Sequence, residues 1–286
     1  MATIKSSLKK EEKEEAIVYH SNELIQNFHH KLTLHEQRIF CLLLSKVQKH
    51  DKEFYPQTFS FENLGKLIGV SMGGKTRKYL DTAITNMVDK SFWCIIDDEE
   101  TKMNIGFLAR GSLSNIKKGF VTIKLCDTLK PFLTGRYDEN GKVIKPYTRY
   151  ALQIVSKFHT PFSLPLYEYL KYIKIKKRNW TVTLTVETLR SMLNADPEQT
   201  WQNFRRYGIE SPVKEINEHS DILIKDVEYI KHGKFIGAVR FHCTMKSGYS
   251  AEEDMENGDK ENIAAVQQED DTFTPELVTV PENENF

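Results

Sequence analysis

Apolar positions recur along this chain in an order that repeats. Across residues 163–242, Leu166, Tyr167, Leu170 and Ile173 recur at helical spacing and form one stripe of an amphipathic helix. Trp180–Leu184 alternates apolar with polar residues and predicts a short strand. Thr185 is placed to cap a second helix with the stripe Val186, Leu189 and Leu193, and Glu187 sits in its first turn, where the helix dipole favours acid. The break Asn194–Gln199 leads to a third helical run whose apolar phase changes partway. Trp201 and Phe204 mark its buried face before Gly208, Val213 and Ile216 after Pro212, so a kink is expected between them. Residues 221–230 and 235–241 then flank a turn at 231–234 and predict a hairpin.

Residues 60–125 run through the same order with weaker signals. Ser60 precedes Phe61, Leu64, Leu67 and Ile68, a short helix ending near Gly69. After a turn at 71–74, residues 75–91 bury Leu80, Ala83, Ile84 and Met87 and turn Lys75, Lys78, Thr82 and Thr85 outward. Strands over 92–97, 104–113 and 119–125 follow as one larger wing, with Lys117, Lys118 and Gly119 at a turn. Ahead of this copy, Thr33 and Glu36 form a capping box for a helix with Leu34, Ile39, Leu42, Leu43 and Val47 on its apolar side, core to the first domain. Helix, helix, basic helix and hairpin, twice over, is an α+β chain of tandem winged-helix (helix-turn-helix plus β-wing) domains.

That arrangement suits DNA, because a helix laid in the major groove presents amide and guanidinium groups to base edges. In the second copy Gln202, Asn203 and Arg206 face outward with Arg205 at the edge, opposite two aromatics. Arginine suits guanine, and Asn or Gln suits adenine. The plain alternative is a solvated helix face. The first copy is expected mainly to hold phosphate and read some bases, through Lys75, Arg77, Lys78, Thr82, Lys117 and Lys118, and Lys214 and Lys234 complete the expected DNA-binding set.

Over about residues 17–243 the chain resembles the plasmid replication initiator (Rep) proteins, which are built from two winged helices and bind repeated origin sequences called iterons. The resemblance rests on VYHSNELIQNFHHKLTLHEQRIFCLLLSKV (Val18–Val47), PLYEYLKYIK (Pro165–Lys174) and the stretch Phe204–Phe241. In the last, a basic pair, a proline and Glu-Ile-Asn precede a strand, here Arg205, Arg206, Pro212, Glu215, Ile216 and Asn217. It implies an initiator that opens the origin with a host initiator and replicative helicase, represses its own promoter as a dimer, and pairs through the first domain. The alternative is a sequence-specific transcription regulator on the same fold. Direct repeats beside the gene favour initiation, an isolated inverted repeat repression.

Charge changes the picture once the C-terminal end is counted apart. Forty basic and forty acidic residues cancel, but residues 247–286 hold twelve acids and one base, −11, which leaves +11 on residues 1–246. The folded part therefore has the sign that displaces counterions from phosphate. Residues 247–286 have too little periodic apolar content for a core and read as a disordered acidic tail, either a solubilising end or a phosphate mimic that weakens non-specific DNA binding. The expected organisation is a mobile arm over 1–16, a first winged helix over 17–150 for DNA contact and dimerisation, a second over 151–246 for base readout, and the tail. No apolar run is long enough to span a bilayer, which suggests a cytoplasmic protein. Cys41, Cys94, Cys126 and Cys243 lack the paired spacing of a zinc site and read as core thiols, so no metal or cofactor is expected.

Two enzymatic rivals remain. Gly69–Thr76 fits the phosphate-loop pattern GxxxxGK[ST], yet the residues before it carry a helical stripe where that loop needs a buried strand, and parallel strands for a nucleotide fold are missing from 127–245. A nicking replication protein would use a tyrosine and two histidines separated by one apolar residue. No such pair occurs, and the adjacent His29 and His30 read as surface residues at the end of a short helix. The expectation is a DNA-binding protein with no catalytic residues.

Overall fold

A computed structural model describes residues 16–27, 32–48, 51–71, 73, 75–95, 102–134, 147–174 and 178–246. The expected N-terminal arm, His29, His30 and the acidic tail lie outside the described residues. The first unit opens on strand β1 (Ile17–Ser21), helix α1 (Asn22–Asn27) and helix α2 (Leu34–Leu44). The Thr33 N–H donates to the Glu36 carboxylate at 2.6 Å, one half of the capping box. Lys90 pairs with the same carboxylate at 2.6 Å. Every residue from Glu36 to Leu44 is buried, so α2 is the central post of this unit. Leu34 is only half-buried, because it stands in the first turn at the post's edge.

Strand β2 (Gln57–Ser60), helix α3 (Phe61–Leu67) and helix α4 (Thr76–Asp89) come next. Ser60 Oγ accepts from the Asn63 N–H at 3.0 Å and starts α3. Past its end, Gly69 has φ +68, and a Cβ there would lie 2.8 Å from the Ser156 carbonyl oxygen, so the turn admits no side chain. The sequence pattern missed three strands of this unit, β1, β2 and the later partner of β1. It also merged two others. The run expected as one strand over 104–113 is broken: β4 (Lys102–Gly106) pairs with β3 (Ser91–Ile95), whereas β5 (Leu113–Asn115) joins β6 (Phe120–Ile123) and β2 in an antiparallel sheet of order β2–β6–β5. The break falls where Gly111 takes φ +95 and the Ser112 N–H donates back to the Ala109 carbonyl. In place of one large wing the unit has a hairpin and a separate small sheet.

After a short helix α5 (Lys130–Leu133), strand β7 (Tyr147–Ala151) returns to pair antiparallel with β1, and α6 (Leu152–Lys157) follows. Helix α7 (Ser163–Ile173) then packs on α1 and β7. Its Glu168 is buried at 2.7 Å from His20 Nδ1 and accepts from the Tyr150 hydroxyl.

The second unit contains strand β8 (Asn179–Thr185), helix α8 (Val186–Met192), a third helical stretch over 201–219, and the long strands β9 (Ile222–His232) and β10 (Phe235–Met245). The three strands form an antiparallel sheet of order β8–β10–β9, with Val182, Phe241, Val239 and Ile224 turned to the core. The third helix is itself composite. Trp201–Asn203 (α9) is α-helical, Phe204–Glu210 winds as a π-helix, and Ser211–His219 (α10) returns to α-helix with Pro212 in its first turn. The change of apolar phase is met by this wide turn, which receives a proline that has no N–H to donate.

All four cysteines are free thiols, with Cys41, Cys94 and Cys243 buried and Cys126 half-buried. Burial pushes the Cys243 thiol up to about 12. No helix among the described residues is long and apolar enough to cross a membrane.

Candidate nucleic-acid interface

The 201–219 helix is seated by contacts on every side except one. Thr200 caps its start, accepting from the Asn203 N–H at 3.4 Å. Ahead of it Asn194 takes a left-handed conformation (φ 49) that ends α8, and Arg190 bridges the break by donating to the carbonyls of Asp196 (3.1 Å) and Gln199 (2.8 Å). The same guanidinium lies 4.3 Å over the ring of Phe204, which is fully buried. Trp201 stands edge-on to Tyr229 of β9, their ring centroids 5.8 Å apart.

The Glu-Ile-Asn triplet acts as three anchors. Glu215 accepts from the N–H groups of His159 (2.9 Å) and Thr160 (3.3 Å) and from the Ser163 hydroxyl (2.6 Å), tying the helix to the start of α7. Ile216 is fully buried. Asn217 clasps β9 from both sides, its amide donating to the Ile224 carbonyl at 2.9 Å and accepting from the Ile224 N–H at 2.6 Å. This triplet therefore fixes the helix in place.

The face left to solvent carries Gln202, Asn203, Arg205, Arg206 and Tyr207, with Lys214 further along. The two arginines differ. Arg206 lies beside the exposed ring of Tyr207, whereas Arg205 pairs with Glu210 at 2.7 Å and lies 4.5 Å over the Tyr229 ring. The Glu210 carboxylate holds the Arg205 guanidinium above its ordinary pKa. Lys231, His232 and Lys234 are exposed around the β9–β10 turn, where Gly233 has φ 62.

In the first unit α4 buries Leu80, Ala83, Ile84 and Met87. Outward it shows Lys75, Lys78, Tyr79, Thr82, Thr85 and Asn86. Arg77 is tied to Glu62 of α3 at 2.8 Å, and the Thr82 hydroxyl donates to the Lys78 carbonyl one turn back. Lys117 and Lys118 stand exposed in the β5–β6 turn, where Gly119 (φ +76) donates to the Asn115 carbonyl at 2.8 Å. The structure thus gathers the expected residues into two groups, one on α4 and the β5–β6 turn, the other on the 201–219 helix and the β9–β10 turn. Sequence reasoning passed over Tyr79 and Tyr207, both about half exposed. The available signal was an aromatic residue at helical spacing among polar outward positions.

The phosphate-loop match sits between two helices, since α3 ends at Leu67 and α4 opens at Thr76. Thr76 Oγ1 accepts from the Gly73 N–H at 2.9 Å and donates to the Ser71 carbonyl at 3.3 Å, so this hydroxyl closes its own turn. One cluster of metal-ligand types occurs among the described residues, Asp226, Glu228 and His242 on the outer face of the second sheet, with ligand atoms within 4.8 Å of one another. Its Glu228 is engaged by His242 at 2.7 Å and Arg240 at 3.0 Å, and the His242 hydrogen bond, reinforced by Arg240, holds the carboxyl below its ordinary pKa.

A family model described as "Initiator Replication protein, WH1" matches residues 17–171, and one described as "Initiator Rep protein, WH2" matches residues 185–243. No curated protein matches the chain in sequence. Among solved structures, that of the Pi initiator protein in complex with iteron DNA superposes with a TM-score of 0.62 at 15% identity, covering 82% of this chain and 98% of that one. Domains 2–3 of RctB give a TM-score of 0.42 at 15% identity over 77% and 84%. With both family models matched in order, the chain belongs to the initiator replication (Rep) proteins built from two winged-helix domains.

Proposed function

We propose that this chain is a sequence-specific, double-stranded DNA-binding initiator of plasmid replication that recognises direct-repeat iterons. The observation that carries the reading is the 201–219 helix, locked on its other sides by Phe204, Glu215, Ile216 and Asn217 while Gln202, Asn203 and Arg206 remain in solvent. Amide and guanidinium groups on a rigid helix are what major-groove readout requires. Arg205 reaches a base or phosphate by leaving Glu210, and Lys214 and Lys234 extend the basic surface to either side. The first domain grips phosphate through Lys75, Lys78, Lys117 and Lys118, with Arg77 and Thr82 more committed to the protein itself. The Pi initiator protein's complex with iteron DNA supports the choice of ligand.

In this reading the protein works in the cytoplasm, does no chemistry on the DNA, and hands an opened origin to a host initiator and helicase. It also represses its own promoter by pairing on an inverted repeat. Pairing uses the first domain, where Leu113 is 63% exposed at the outer strand of the β2–β6–β5 sheet.

The test is a footprint on the DNA flanking the protein's own gene, followed by Asn203→Ala and Arg206→Ala. Each variant is expected to lose about 1–3 kcal/mol of discrimination between the protected site and scrambled duplex at fixed salt. An unchanged ratio in both variants moves base readout away from this helix.

A further inference from the structure

We propose that Phe235, at the tip of the second wing, is an apolar wedge that stacks against a base at a deformed step beside the sequence read by the 201–219 helix. The inference rests on the DNA-binding reading above and adds to it a residue of a different chemical kind.

Phe235 is 80% exposed, the most exposed large apolar side chain among the described residues. Replacing it should cost the fold little, because it has almost no packing to lose. Single apolar residues on a surface are ordinary. This one differs in its surroundings. Lys231, His232 and Lys234 are all exposed around it, so the apolar ring sits within a cluster of groups that attract phosphate. Its cross-strand partner, the last pair before the turn, is His232.

The hairpin carries that tip to a definite place. Strand β8 pairs with β10 no further than Ala238, so beyond it the hairpin is a free two-stranded ribbon. Tyr229 of β9 stands near the root of that ribbon and touches Trp201 and Arg205, at the start of the 201–219 helix. His232 lies three residue steps beyond Tyr229, about 10 Å of strand. The tip thus lies roughly 10 Å of strand beyond this contact with the helix, and the phenyl side chain extends it further. Half a turn of B-DNA, roughly 17 Å, separates a major groove from the minor groove beside it.

Two glycines shape the end. Gly233 takes φ 62, which the two-residue turn needs. Gly237 is the extra residue of a bulge between Ile236 and Ala238, and a Cβ on it would lie 2.8 Å from Cβ of His232. A bulge of this kind raises the local twist and re-aims the residues next to it. Proteins that bind the minor groove frequently insert an exposed apolar side chain between base pairs and kink the duplex there.

The experiment places 2-aminopurine at successive positions across and beside a footprinted site and compares the wild-type protein with Phe235→Ala and Phe235→Trp. The wild type is expected to change the fluorescence at one step beside the site, with Phe235→Trp retaining the change and Phe235→Ala losing it. Phe235→Ala should also bind the site roughly 5- to 150-fold more weakly, the range for loss of one base–aromatic stack, with an unaltered melting temperature. A wild-type footprint with no local fluorescence change, or a change that survives Phe235→Ala, overturns the wedge and leaves DNA binding standing. Absence of any specific footprint from the wild-type protein overturns the reading beneath it.

Discussion

At position 208 the chain has no side chain because Phe204 occupies the space. A Cβ there would lie 2.7 Å from the Phe204 ring, which is fully buried beneath the Arg190 guanidinium. Gly208→Ala gains at most about 1 kcal/mol in helix propensity and incurs an overpacking cost of about 1–3 kcal/mol. Net destabilisation is expected, read as a lower thermal midpoint, with Phe204→Leu in the same chain relieving part of it. A midpoint equal to or above the wild type would mean that Phe204 has room to move. Residues nearby show what a sequence hides. The outward positions Gln202, Asn203 and Arg206 are legible, because Trp201 and Phe204 fix the phase of the helix. The pairing of Arg205 with Glu210 is not, since residues five apart do not meet on an α-helix and do so here across the wide turn of a π-helix.

Among the elements, the longer helices were readable, whereas the short α5 and α6 and half of the strands were not. The buried set of α4, Leu80, Ala83, Ile84 and Met87, follows from one-sided apolar spacing, and the β9–β10 hairpin from two apolar runs around Gly233. Strand β1 pairs with β7, its register running from Ile17 with Ala151 to Ser21 with Tyr147. Nothing local in either segment names a partner so far along the chain. The split between β4 and β5 was hidden for the opposite reason, because Phe107 and Leu108 continue the apolar run through the break. Strand β9 is joined to the helix before it by the two hydrogen bonds of Asn217. Asn217→Ala would leave the Ile224 N–H and carbonyl without these partners, at a cost of about 1–3 kcal/mol each where burial excludes water. The expected result is a lower melting midpoint together with weaker specific DNA binding and an unchanged preference among bases, since the wing shifts while the reading face stays intact. A change in base preference would give Asn217 a place in recognition.

For the molecule as a whole, the two units are held together by packing. Helix α7 touches α1 and β7 of the first unit and α10 of the second. Gln37 of α2 donates to the Pro161 carbonyl at 2.9 Å and Arg38 to the Phe158 carbonyl at 2.5 Å, which fixes the segment before α7 on α2, and from α7 the Tyr167 hydroxyl donates to Asp221 of the second unit at 2.9 Å. Burial holds the Arg38 guanidinium below its ordinary pKa, as expected of a cation sealed into such a junction. If both basic surfaces read DNA as proposed, two different surfaces on one chain match one asymmetric stretch of duplex, and a single chain is expected to cover one direct repeat. An inverted repeat has a two-fold axis that one such chain lacks, and it calls for two chains related by the same axis. Native mass spectrometry of the two complexes is expected to show one chain on a single direct repeat and two on an inverted repeat. Substituting Leu113→Lys at the outer strand of the first unit should abolish the second complex and leave the first intact. A dimer on the single direct repeat would refute this division, and an inverted-repeat complex untouched by Leu113→Lys would move the pairing surface elsewhere.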